Sequence, residues 1–226
     1  MNPTVPTDSA PWLVLDASHP TVEIGIIGAN GWLAHECAGA PALSSLFDLT
    51  KKCFQTANLS LDKITSYVQC MGPGSILGIR LTAMAIKTWR GIYPNTSCLT
   101  YTSLDLARRS ISLRNSEEAF RIVTDWKRNA WHLIESDDRT ITSIDTETLS
   151  SSTGQKTFYL TQRKSWESPP LEVTEIQYSI KALPRILSVQ SDVLTQSTEP
   201  GLFQHHEPVY QKWGPSRHGK DSATRA

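Results

Sequence analysis

Residues 64–92 read ITSYVQCMGPGSILGIRLTAMAIKTWRGI. An apolar run over 64–71 meets Gly72-Pro73-Gly74-Ser75, and a long apolar segment follows with Ser75 placed to cap it. The spacing predicts a strand, a sharp turn and a helix over 76–92. In that helix Ile76, Leu77, Ile79, Leu81, Ala83, Met84, Ala85, Ile86 and Trp89 wind around every face, leaving Arg80, Lys87 and Arg90 as its charges. A helix resting on one sheet has a polar outer side, whereas one that is apolar all round is buried on two sides. Each large side chain left in water forfeits about 1.5–3 kcal/mol of burial, and a joint patch of them invites association. The second cover is either a partner protein or the chain's own second lobe or tail.

Upstream, WLVLDA at 12–17 and TVEIGIIG at 21–28 flank a His-Pro turn, and Asn30-Gly31 is a tight-turn dipeptide before WLAHEC at 32–37. These three runs predict an antiparallel meander. Pro41 opens a helix over 41–57 whose Leu43, Leu46, Phe47, Leu49, Cys53 and Phe54 form a wide apolar stripe ending near Asn58. A short strand at 96–100 completes a ribonuclease-H-like half-domain: three antiparallel strands, helix, strand, helix, strand.

Downstream the opening is echoed. FRIVTD at 120–125 is again an apolar strand closing on an acid, and AWHLIE at 130–135 returns. Then come a polar Ser/Thr-rich stretch at 136–157, a strand at 158–162, a Pro-Pro loop at 169–170 and a helix-like piece around 176–191. The expected class is α/β: a duplicated ribonuclease-H-like fold of the actin-like ATPase superfamily, in two lobes. The first lobe takes residues 11–106, a reduced second lobe 107–212, and a disordered tail 213–226.

The residues place limits on chemistry. Twenty-two basic side chains balance 22 acidic ones, which removes the broad positive footprint of a stand-alone nucleic-acid binder. No apolar run is long enough to span a bilayer, and the first ten residues lack a secretory pattern, so a cytoplasmic chain without membrane contact is expected. Cys37, Cys53, Cys70 and Cys98 are scattered without a CxxC and read as buried free thiols; the six His form no HExxH or HxxxH pair.

In the superfamily, ATP lies between the lobes on glycine loops, but eight of the twelve glycines fall within residues 1–91 and only Gly154 and Gly201 serve the span from there to 213. At the second acid, Asp125, the bulky Trp126-Lys127-Arg128 stands where a phosphate loop needs small residues. In the first lobe Asp16 with Ser18 is either a vestigial metal-water or phosphate contact or a turn-forming pair. Gly72, Gly74 and Ser75 are either a vestigial anion-binding junction or a turn built for close helix packing, and the Gly-Lys-Ser/Thr ending of a P-loop is missing.

LVLDAS with its hairpin, and above all Gly72-Pro73-Gly74-Ser75 with Gly78-Ile79-Arg80, resemble the TsaB (YeaZ-like) family over roughly residues 12–110. The family motif runs close to Gly-Pro-Gly-Ser-Phe-Thr-Gly-hydrophobic-Arg, so Ile76 and Leu77 depart from it. Pro208-Val209-Tyr210 resembles the family's closing Pro-x-Tyr. The resemblance implies a non-catalytic dimerisation subunit for making N6-threonylcarbamoyladenosine in ANN-decoding tRNAs. It further implies a catalytic paralogue, TsaD, docked helix against helix, a small ATPase, TsaE, joining, and tRNA met only through the complex.

This reading names no catalytic residue, metal ligand or cofactor. Its expected partner interface is Leu43, Leu46, Phe47, Ile76, Ile79, Arg80, Ala83, Met84 and Lys87. Three alternatives stay open: a small ATP-binding kinase of the superfamily, a peptidase of the kind once ascribed to these folds, and a structural homodimer through the same helices. The basic tail (Lys212, Arg217, Lys220, Arg225) is either a solvated end or a tRNA contact.

Overall fold

Trp12–Asp16 forms β1, the central strand of the first sheet, and it is buried along its whole length. The computed structural model describes residues 6, 9–114, 119–152, 154–162 and 168–204. β1 pairs antiparallel with β2 (Val22–Gly28), which pairs antiparallel with β3 (Gly31–Ala38). Gly31 takes φ +122° at the turn between them, a conformation open to glycine. On its other side β1 runs parallel to β4 (Ser66–Cys70), and β4 parallel to β5 (Ser97–Tyr101).

Two helices cover one face of this sheet. α1 (Ala42–Ala57) follows Pro41 and stops where Asn58 turns left-handed at φ 52°, with the Leu59 amide donating to the Phe54 carbonyl. α2 (Ile76–Ile92) matches its predicted span, and Ser75 caps it by accepting from the Gly78 amide at 3.3 Å. The strand pleat then sorts the residues. Leu13 and Leu15 join Leu46, Leu49 and Ile86 on the helix side, while Trp12 and Val14 join Val68 and Leu99 on the other.

The second sheet repeats the first. β6 (Phe120–Lys127) pairs antiparallel with β7 (Ala130–Glu135), β7 antiparallel with β8 (Thr142–Asp145), β6 parallel with β9 (Lys156–Leu160), and β9 parallel with β10 (Thr174–Ile176). The order β8-β7-β6-β9-β10 matches β3-β2-β1-β4-β5 strand for strand. The mixed α/β class and the duplication hold. Between the sheets lies α3 (Ser103–Ser112), which the sequence reading missed: Leu106 packs into the first core, Leu104 and Ala107 into the second.

Several expectations change. The stretch 136–157, read only as polar and Ser/Thr-rich, holds β8 and α4 (Thr146–Ser151), whose Asp145 cap accepts from the Thr148 amide at 2.7 Å. The strand expected at 158–162 starts earlier, set by the pairing of Phe158 with Ile122. The helix expected over 176–191 is broken into a 3-10 turn at Ile180–Ala182, α5 (Leu183–Val189) and a second 3-10 turn at Ser191–Val193. Pro184, with no amide hydrogen, starts a new helix there.

The lobe boundaries also differ. A cut at 106/107 falls inside α3, and residues 178–197 return to the first sheet. Ile180, Leu183, Ile186, Leu187 and Val193 cover the face opposite α1 and α2, and β11 (Thr195–Ser197) pairs antiparallel with β5. That face would otherwise leave Trp12, Val14 and Leu99 in water. The expected tail, 213–226, and Pro208-Val209-Tyr210 lie outside the described residues.

Candidate functional site

The first lobe presents two features: the outer face of α1 and α2, and the loop that links β1 to β2. On the helices, the apolar stripes divide in two. Leu46, Ile79 and Ala83 were expected at an interface but are buried against the chain's own sheet or within the helix layer, because the inward positions of each stripe complete the core. Leu43, Phe47, Ile76 and Met84 point outward and are between 55% and 71% exposed. Leu77, absent from the expected interface, is exposed as well. Its signal was in the sequence, since Ile76 and Leu77 are the two departures from the family motif.

Arg80 and Lys87 lie exposed on the same helix, Lys87 with Glu199 at 3.0 Å. The stripe Leu77, Arg80, Met84, Lys87 follows the helical repeat along one side of α2. Phe47 meets Trp89 edge to face at 6.3 Å, joining the two helices. Beside them a groove of about 570 Å³ is lined by Phe47, Phe54, Leu59, Leu61 and Trp89.

In the loop, Asp16 is buried and its carboxylate accepts four hydrogen bonds. Oδ1 takes the Ser18 amide at 2.9 Å and the Ser18 hydroxyl at 2.6 Å; Oδ2 takes the Tyr101 hydroxyl at 2.7 Å and the Tyr178 hydroxyl at 2.6 Å. Four donors match the lone-pair sites of a carboxylate. Of the two readings of Asp16 and Ser18, the geometry shows the turn-forming one, extended by two tyrosines. Burial, reinforced by the Asp16 charge, pushes both phenols well above their ordinary range, and burial does the same to the Cys70 thiol beside them.

Gly72, Gly74 and Ser75 likewise serve packing. A Cβ on Gly74 would sit 2.2 Å from the Ser18 carbonyl oxygen, and one on Gly78 1.9 Å from that of Ala17. The Ser75 amide donates to the Ser18 carbonyl at 2.7 Å and the Gly78 amide to the Ser75 hydroxyl at 3.3 Å, so two of the amides at the start of α2 are bonded within the chain. Tyr101 and Tyr178 lay beyond sequence reasoning: they reach Asp16 from 85 and 162 residues away.

In the second lobe Asp125 lies on β6, where the Tyr159 hydroxyl donates to Oδ2 at 2.5 Å. Lys127 lies 4.2 Å over the Trp126 ring. Among the described residues no group of three or more His, Cys, Asp or Glu could hold a metal, and no helix is long and apolar enough to cross a membrane. Cys53, Cys70 and Cys98 are buried free thiols, whereas Cys37, expected buried, is exposed on β3 at the sheet edge.

Two sheets of this order, helices on one face of the first, and a returning C-terminal segment were compared with known structures. YeaZ from Pseudomonas aeruginosa superposes with a TM-score of 0.63 over 86% of this chain and 99% of its own, at 11% identity. The chain has the YeaZ fold. A structure described as an uncharacterized protein with similarity to peptidase YEAZ from Pseudomonas aeruginosa gives a TM-score of 0.61 over 89% of this chain and 99% of that one, at 12% identity. No protein-family model and no curated protein sequence matches the chain. At such identity the likeness to YeaZ is one of backbone architecture.

Proposed function

We propose that this chain is a non-catalytic scaffold subunit of an assembly that forms N6-threonylcarbamoyladenosine in tRNA. Its α1/α2 face docks helix against helix on a TsaD-like catalytic paralogue. A TsaE-like ATPase joins the assembly, and tRNA is met through the complex. The observation that carries this reading is the division of α1 and α2 into a buried inner stripe and an outer one that keeps Leu43, Phe47, Ile76, Leu77 and Met84 in water. Burying side chains of this size is worth about 1.5–3 kcal/mol each, enough to favour association through the patch. The saturated carboxylate of Asp16 supports the non-catalytic part, since its hydrogen bonds go to Ser18 and two tyrosines.

A Phe47→Asp, Met84→Asp double variant, co-expressed with the TsaD-like paralogue, should fold normally by circular dichroism and fail to co-purify. Undiminished co-purification would reject the face. The same apolar face also favours a homodimer in isolation. Light scattering with and without the paralogue separates the two assemblies: a dimer that the paralogue does not break identifies the homodimer. A kinase or peptidase reading requires nucleotide or metal, and heat released on titrating magnesium-ATP would support it against ours.

A further inference from the structure

α1 ends beside the turn at Leu61–Lys63 that leads into β4, and along that edge runs the groove of about 570 Å³ next to Phe47. One wall is a stripe of α1: Phe47, Lys51 and Phe54 stand four and three residues apart, the spacing that brings side chains onto one face of a helix. Leu59 and Leu61 close the groove from the turn, and Trp89 closes it from α2. Phe54, Leu59, Leu61 and Trp89 are half-buried, packed on the first core while they line the groove. Its volume suits a small molecule, and its lining suits hydrocarbon.

The polar groups at the groove differ in what they have left to offer a ligand. The Thr50 hydroxyl donates to the Leu46 carbonyl at 2.7 Å. The Ser60 hydroxyl donates to the Asp62 carboxylate, which also pairs with Lys63 at 3.2 Å. Lys51 is the single charged residue that lines the groove among the described residues. It forms no ion pair among them, not even with Asp48 three residues back on the same helix. It is exposed, and its ammonium carries three N–H donors and no acceptor. Gln55 and Asn58 also line the groove and carry amide N–H donors. Hydrocarbon walls with one unpaired cation complement a molecule that has an apolar body and a negative head, the reverse of an amine.

We propose that this groove binds a small amphiphilic carboxylate of the medium-chain fatty-acid kind, its chain against Phe54, Leu61 and Trp89 and its head on the Lys51 ammonium. The groove adjoins the α1/α2 face at Phe47, yet the proposal does not depend on the scaffold reading, because it is tested on the full chain alone. Octanoate, octylamine and 1-octanol are titrated while the Trp89 indole N–H resonance is followed by NMR. Octanoate should move it with a dissociation constant on the order of 0.1–1 mM, and the amine and the alcohol should bind about fivefold more weakly or worse. Lys51→Gln should weaken octanoate about fivefold and keep the wild-type melting temperature, because the residue is exposed. Lys52→Gln changes a neighbour that does not line the groove and should bind as wild type does. The proposal is overturned by a Trp89 resonance that octanoate leaves in place up to about 10 mM, by octylamine or octanol binding as tightly, or by equal affinities in the two lysine variants. A dimer by light scattering in which octanoate moves nothing gives the groove to a second copy, and overturns it as well.

Discussion

Both lobes of this protein run their strands in one order, and the first strand of each carries a buried acid, Asp16 at the end of β1 and Asp125 two residues before the end of β6. Around that shared plan they diverge. The first lobe lays helices of 16 and 17 residues on its sheet and seats the second of them against the acid's loop through Gly74 and Gly78. The second lobe lays a six-residue helix there, and its Gly154 faces open space. Each acid is bonded by tyrosine hydroxyls, two at Asp16 and Tyr159 at Asp125. The difference teaches that duplication preserved the sheet, while close helix docking and an outward apolar face belong to the first half.

The largest expected effect tests the helix docking. Gly78→Ala puts a methyl into the Ala17 carbonyl, backbone against backbone, and should destabilise the chain by about 3–5 kcal/mol in urea unfolding. Gly201→Ala in open space should stay within about 0.5 kcal/mol. Equal costs would mean that α2 is not seated through a close approach at Gly78.

A pH titration sharpens it. Buried in the β1–β2 turn, His19 takes up its proton near pH 4 when folded and near 6.5 when unfolded, so between those values the unfolded chain holds more protons. The contribution is fully present above pH 6.5 and falls as pH drops toward 4, amounting to about 3 kcal/mol. Urea unfolding from pH 7.5 to 4 should show that slope in wild type and a shallower one in His19→Gln. Identical slopes would place the acid sensitivity elsewhere.

The two acids come next. A Tyr101→Phe, Tyr178→Phe double variant strips both hydroxyls from Asp16 Oδ2 and should cost about 2–4 kcal/mol, against about 1–2 for Tyr159→Phe at Asp125. Thermal unfolding of the three variants ranks them, and a reversed order would make the second acid the better-buried hub. The smallest effect is on the outer face. Met84→Ser should leave the stability of the isolated chain within about 0.5 kcal/mol, because nothing of its own core is lost. A drop above about 2 kcal/mol would mean that the chain covers this face itself.

Legibility in the sequence followed the strength of local pattern. β1 to β3, both long helices and the β6–β7 hairpin stand where alternation, Asn30-Gly31, Pro41 and Ser75 put them, because each is decided by its own side chains. β8, α4 and β10 went unread: they are short, polar and rich in Ser and Thr, and they exist through pairing rather than periodicity. At the candidate site, the choice between vestigial phosphate loop and packing turn was open for Asp16, Ser18, Gly72, Gly74 and Ser75. It closed only with carbonyl oxygens from residues 17 and 18 set against α2.

The sequence by itself determined that one helix carries more hydrocarbon than a single sheet can cover, since composition and helical spacing alone bear on that question. Which of those residues turn inward was decided by the tertiary structure: Leu46, Ile79 and Ala83 complete the core while Phe47, Leu77 and Met84 remain outside. So was the gathering of Tyr101, Tyr178 and His19 around Asp16, and the return of residues 178–197 to the first sheet. A helix apolar on every side has no intrinsic front, and a contact across 162 residues leaves no periodic trace. Both are fixed only when the sheet supplies a surface to pack against.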